Sequence, residues 1–282
     1  MKLKQSTHLV FKDMNIGTAK PTAQELATVP HHLIDIISPS EVFSAADFVE
    51  MTQGLIVDIR ARGHVPVILG GTMMYYKTLV SGIDDLPPAD ADVRAAIELQ
   101  AMHEGWPAVH ARWAEVDPIT AQRLAPNDSQ RLQRALEVYT LTGTPLSSFH
   151  NRGQHDQALL PTLSLEPSDR SVLHARIEQR FLDMLNQGLV EEVIELRHRH
   201  VLDASMPSMR CVGYRQVWEY LHGQSTYDEM VQRGIAATRQ LAKRQITWLR
   251  STEHKQVVDP LQPSWVDAVK PWLVQQIETL MP

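Results

Sequence analysis

Val65-Pro66-Val67-Ile68-Leu69-Gly70-Gly71-Thr72 is a short apolar run that stops abruptly on two glycines. A continuous apolar run of this length, without polar alternation, reads as a buried parallel strand. The glycines permit a tight turn, and Met73-Met74-Tyr75-Tyr76-Lys77 beyond Thr72 reads as the start of a helix. On the other side, Ser44-Ala45-Ala46-Asp47 opens a helix reaching about position 62, with Phe48, Met51, Leu55, Ile56 and Ile59 at helical spacing. Before it, His32-Leu33-Ile34-Asp35-Ile36-Ile37 is apolar, partly β-branched and bounded by Ser38-Pro39-Ser40, which predicts a short strand. Strand, helix and strand in succession make the core of an α/β parallel sheet.

Beyond Leu86-Pro87-Pro88 the pattern turns helical. Residues 94–103, 106–116 and 119–124 are short helices, and Asn127 with Gln130 caps a longer one carrying Leu132, Leu136 and Tyr139 on its apolar face. Residues 148–157 are a polar loop, 159–165 are strand-like, and Asp169 caps a helical stretch to 199. Thr226-Tyr227-Asp228-Glu229 is a capping box for a helix over 226–250, with Val231, Ile235, Ala242, Ile246 and Leu249 as its buried stripe. These readings divide the chain into an α/β core (1–86 and 158–282) and a helical insertion (87–157).

A single cysteine, Cys211, rules out an intramolecular disulfide and points to a reducing compartment. No apolar run approaches the roughly 18 residues that span a bilayer, and the first residues lack the apolar segment of a secretory signal. A cytoplasmic, monomeric protein without a membrane partner is expected. The net charge of −6 argues against a nucleic-acid partner unless the positive charge is concentrated locally.

It is concentrated. Arg233, Arg239, Lys243, Arg244 and Arg250 lie in one helix, and residues 231–250 contain no acidic side chain. A solvated face with basic residues near the helix end accounts for one or two of these; five point to an RNA or phosphate partner. Gly70-Gly71-Thr72 can aim amides and a hydroxyl at a ligand at the sheet edge, or can be a plain turn with Thr72 as cap. In Arg210-Cys211-Val212-Gly213-Tyr214-Arg215 the arginines suit phosphates and the tyrosine suits base stacking. Cys211 reads as a small buried hydrophobe rather than a nucleophile, and Arg131 and Arg134 as a solvated face. The 13 histidines show no metal-ligand spacing.

Seven strings in order resemble the bacterial tRNA dimethylallyltransferase family. They are Met14-Asn15-Ile16-Gly17-Thr18-Ala19-Lys20-Pro21; Pro30-His31-His32-Leu33-Ile34-Asp35-Ile36; Phe43-Ser44-Ala45-Ala46-Asp47-Phe48; Gly70-Gly71-Thr72-Met73; Pro126-Asn127-Asp128-Ser129-Gln130-Arg131; Arg210-Cys211-Val212-Gly213-Tyr214-Arg215-Gln216; and Thr238 through Arg250. The resemblance implies a P-loop-kinase-like parallel sheet and transfer of dimethylallyl from dimethylallyl diphosphate, with magnesium (Mg2+). The acceptor it implies is the N6 amine of the adenine 3′ of the anticodon, with the tRNA anticodon stem-loop as partner. By position it implies a catalytic role for Thr72. It implies tRNA contacts at Ser6, Thr7, His8 and Leu9, at Arg94, and at Gln130, Arg131, Leu132, Gln133 and Arg134. It extends them to Arg210, Cys211, Val212, Gly213, Tyr214 and Arg215, and to Lys243, Arg244, Gln245, Ile246, Thr247, Trp248, Leu249 and Arg250.

The sequence departs from the family pattern in four respects. It contains no GxxxxGKS/T phosphate loop, so the first strand and P-loop of such a core are expected to be lacking. Ser6 stands where the family has a proton-accepting aspartate. Asn15 replaces an aspartate, and Asp13 a glycine. Two alternatives to an active transferase stay open: a tRNA-binding protein without transfer activity, and a nucleotide or small-molecule phosphotransferase.

Overall fold

The computed structural model describes residues 2–5, 8–82, 84, 86–149 and 160–280, with side chains from residue 8 onward. Ser6, Thr7 and most of the polar 148–157 segment lie outside the described residues. The chain divides into two compact units, one formed by Met1–Thr78 and Leu159–Pro282, the other by Leu79–Ala158. No helix among the described residues is long and apolar enough to cross a membrane.

The first unit begins with β1 (Lys2–Gln5), α1 (Ala23–Thr28), β2 (His31–His32), α2 (Ala45–Ala61), β3 (Val67–Gly70) and α3 (Met73–Ser81). The strands form a parallel sheet in the order β2-β1-β3, with Lys2 opposite both His31 and Val67. Ser44 caps α2 and Asp47 returns the bond, as their spacing requires. Two expectations are corrected. The strand over 32–37 is only His31–His32, because Leu33 (φ 61°) and Asp35 (φ 55°) are left-handed and break the extension. Ile37 returns as an isolated parallel bridge to Phe11. The run 65–69 does form a parallel strand, β3, but not a buried one: among the described residues β3 stands at the edge of the sheet beside β1, and Val67 is 45% exposed.

The second unit holds α4 (Ala91–Glu104), α5 (Trp106–Val116), α6 (Pro118–Arg123) and α7 (Ser129–Thr142). Asp128, rather than Asn127, caps α7, and Gly143 ends it in the left-handed conformation. Val109, Trp113, Leu132 and Ala135 make its core, with Tyr139 edge-on to Trp113 at 5.4 Å.

The chain then returns to the first unit through β4 (Thr162–Leu165), α8 (Arg170–Asn186), α9 (Leu189–Arg199), α10 (Tyr214–Leu221), α11 (Tyr227–Ser251), β5 (Lys255–Val258) and α12 (Trp265–Leu280). The helical stretch to 199 is two helices, broken where Gly188 takes φ 97°. β4 and β5 pair in parallel as a separate two-stranded sheet. Val10, Phe11 and Met14 from the loop after β1 pack with Phe181, Leu189, Tyr214, Val217 and Met230 in the main core.

Candidate functional site

The glycine turn and α11 meet. Gly70 ends β3, and the Thr72 carbonyl accepts the Tyr76 amide in the first turn of α3. The Gln245 side chain donates to the Gly71 carbonyl at 2.9 Å. A Cβ at Gly71 would lie 2.3 Å from the Gln245 amide nitrogen, so the glycine makes room for this contact. One turn along α3, the Lys77 ammonium stands 5.8 Å from the centre of the Trp248 ring. Thr72 and the 243–250 segment, far apart in sequence, therefore adjoin.

On α11 the capping box of Thr226 and Glu229 forms as its spacing demands. The five-cation stripe needs correction. Arg239 pairs with Glu178 of α8 at 2.7 Å, and Arg233 lies 3.6 Å from Glu219 of α10. Intrahelical spacing cannot reveal acids brought in by neighbouring helices. Lys243, Arg244 and Arg250 remain exposed and have no ion-pair partner among the described residues. Thr247 and Trp248 are also exposed, while Gln245, Ile246 and Leu249 are half-buried.

The 210–215 segment is only partly available to a ligand. Arg210 and Arg215 are exposed, and Arg215 bonds Glu219 at 3.0 Å. Val212 is half-buried, and Gly213 adopts φ 93° where the chain enters α10. Tyr214 does not offer a stacking ring: it is fully buried and donates its hydroxyl to Glu192 at 2.5 Å. Burial, with the Glu192 charge beside it, pushes its phenol pKa upward. Cys211 is buried too, its thiol directed at the Pro207 carbonyl and its pKa raised by burial, so it is no nucleophile.

Glu192, in the first turn of α9, is the residue that sequence reasoning missed. Its carboxylate accepts the amides of Asn15 (2.9 Å), Ile16 (2.8 Å) and Gly17 (3.4 Å) as well as the Tyr214 hydroxyl. A Cβ on Gly17 would sit 2.5 Å from the Tyr214 ring and 2.8 Å from Leu189, so only glycine fits. Lys20 is buried within the same loop, donating to the Phe11 carbonyl (2.6 Å), Asn15 (3.1 Å) and Asp35. Asp13 takes φ 62°, a conformation suited to glycine, and lies 3.4 Å from His200. Beside this loop a cavity of about 500 Å³ is lined by Asn15, Lys20, Asp35, Arg180 and Asp183, with mixed charge. Nearer the N-terminus, His8 is half-buried and desolvation lowers its pKa, while Leu9 is in the core.

In the second unit, Arg94 and Arg134 are not simply solvated. Both bind the fully buried Glu137 carboxylate: Arg94 through two nitrogens (2.8 and 3.0 Å) and Arg134 through one (2.6 Å). The Asp90 amide adds a further bond at 2.8 Å. Burial alone would raise the Glu137 pKa, but these hydrogen bonds outweigh it and hold the carboxyl below its usual range. Gln133 bonds Glu98, Leu132 is buried, and Gln130 and Arg131 are exposed.

A family model described as IPP transferase matches residues 9–252. The chain belongs to the IPP transferase family. It is 57% identical over 270 residues to a tRNA dimethylallyltransferase of Cupriavidus necator, covering 93% of this chain and 84% of that one. The corresponding protein of Paraburkholderia xenovorans is 57% identical over 260 residues, covering 90% and 82%. Among solved structures, a tRNA isopentenylpyrophosphate transferase of Bacillus halodurans superposes with a TM-score of 0.70 at 32% identity, covering 99% of this chain and 88% of that one. A eukaryotic dimethylallyltransferase that acts on tRNA shares the fold, with a TM-score of 0.78 at 23% identity and coverage of 100% and 73%. Within this IPP transferase fold the three-stranded parallel sheet carries the glycine turn on β3, and α11, which bears the exposed Lys243, Arg244 and Arg250, contacts that turn through Gln245.

Proposed function

We propose that this chain is a tRNA dimethylallyltransferase, moving the dimethylallyl group of dimethylallyl diphosphate onto the N6 amine of the adenine 3′ of the anticodon. One observation carries the reading beyond family membership: the Gln245–Gly71 bond joins the turn bearing Thr72 to the helix bearing Lys243, Arg244 and Arg250. A transferase of this kind must hold an RNA strand next to a reacting allylic carbon, and the two segments put a cationic surface beside a hydroxyl-bearing turn. The N6 nitrogen attacks the allylic carbon, the carbon–oxygen bond breaks with its electron pair leaving on diphosphate, and the amine proton passes to the departing diphosphate or to solvent. Thr72 is proposed to orient the acceptor. Magnesium, implied by the resemblance, would assist the departing diphosphate. The described residues hold no cluster of three or more metal-ligating side chains, so no step is assigned through protein-held metal. The P-loop-kinase-like character of the sheet remains part of this proposal, as does recognition of the anticodon stem-loop by residues 130–134 and 210–215.

A second reading, tRNA binding without transfer, is favoured by Ser6 at the position of the family's proton-accepting aspartate. A transfer assay with purified chain, labelled dimethylallyl diphosphate and unmodified tRNA separates the two. Label in the tRNA supports the transferase; saturable binding with no label supports the second reading; neither result would remove both.

A further inference from the structure

Between α8 and α11 lies a cleft of about 250 Å³ with an unusual lining. Arg170 and His174 stand on one wall, one helical turn apart, and Arg239 and Lys243 on the other with the same spacing. Leu173, Ala242 and Ile246 form its apolar part. The lining contains three permanent cations and an imidazole, and no carboxylate. Two acids flank the lining: Asp169, which caps α8 beside Arg170, and Glu178, which takes one terminal nitrogen of Arg239 at 2.7 Å. That bond leaves the Arg239 Nε buried with no hydrogen-bond partner, so Glu178 does not satisfy the guanidinium. Arg170, His174 and Lys243 are exposed, and none has an ion-pair partner among the described residues.

We propose that this cleft grips the RNA backbone through phosphate, extending the tRNA-facing surface from α11 onto Arg170 and His174 of α8. Arg170 on one wall and Lys243 on the other are exposed cations without an ion-pair partner among the described residues, and they complement a polyanion that lies along the cleft, with the His174 imidazole and the unsatisfied Arg239 Nε beside them. Lys243 belongs to both the cleft and the exposed α11 segment, so the two surfaces are continuous. The inference rests on the tRNA reading of the proposed function. It adds two residues and a second helix to the interface, and these read the backbone rather than base identity.

The test is the affinity of the full chain for a fluorescent unmodified tRNA over a series of salt concentrations. It compares wild type, Arg170→Gln with His174→Gln, and Arg170→Lys with His174→Lys. The glutamine pair is expected to bind about tenfold more weakly and to reduce the salt slope by about one unit. The lysine pair is expected to stay close to wild type. If wild type itself binds no tRNA, the proposed function fails and takes this inference with it. If wild type binds and the glutamine pair matches it in affinity and slope, the cleft is overturned while the tRNA reading stands. Equal losses in both variants would mean that packing, not charge, matters there, and would likewise overturn it.

Discussion

Glu192 shows how much one side chain can hold. Its carboxylate gathers amides from the loop after β1 and the phenol of α10. Replacing it with alanine leaves the buried Tyr214 hydroxyl and two well-bonded amides without a partner, and we expect a loss of about 2 kcal/mol in urea unfolding. Gly17→Ala is expected to cost about 2 kcal/mol by a different route, because the added methyl has only the buried Tyr214 ring and Leu189 to displace. A change under a few tenths in either variant would contradict the packing described. At Asp13, where the resemblance implies a glycine, the backbone is left-handed (φ 62°), a conformation that glycine adopts without strain. None of this was legible locally. Glu192 looks like any acid opening a helix, and Tyr214, read as a stacking ring, sits at the start of a helix whose inner face only the fold defines.

At the scale of elements, the helices whose ends carry their own signals were legible. α5 occupies the expected 106–116, and the caps at Ser44 and Thr226 fall where the spacing of Ser, Thr, Asp and Glu places them. Elements defined by remote partners were not. β1 joins the sheet through β2 and β3, β5 exists through β4, and α12 follows it beyond the last helix the pattern revealed. The stripe on α11 illustrates the same division: its positive charge was legible, but the neutralisation of Arg233 and Arg239 came from α10 and α8. The prediction at this scale concerns what remains. Arg244→Glu should weaken tRNA binding about tenfold at low salt and flatten the salt dependence by about one unit, read by the same affinity series. Unchanged affinity would remove α11 from the interface.

Across the whole molecule, one hydrophobic cluster among the described residues serves each of the two units, so more than one unfolding transition is expected. The hydrogen bonds to Glu137 give the second unit a pH dependence. Glu137 has a folded pKa below its usual 4.5, so its contribution is fully present above that value and is lost as pH falls through the lower folded value. Glu137→Ala strands Arg94 and Arg134, and should cost the second unit about 3 kcal/mol at neutral pH. The stability difference between wild type and variant should persist at pH 4.5 and narrow only as the pH is lowered further, through the depressed folded value of Glu137. Limited proteolysis should cut first within 79–158 in the variant; equal protection in both proteins would show that the buried carboxylate carries little of that unit's stability.

The loop at 15–17, the opening of α9 and the opening of α10 share a single carboxylate. A segment exchanged at any one of the three has to bring the residue that the other two require. Chimeras should therefore tolerate crossovers that keep the Gly17, Glu192 and Tyr214 set intact and reject those that break it, so the three behave as one heritable block although they run from Asn15 to Tyr214 along the chain.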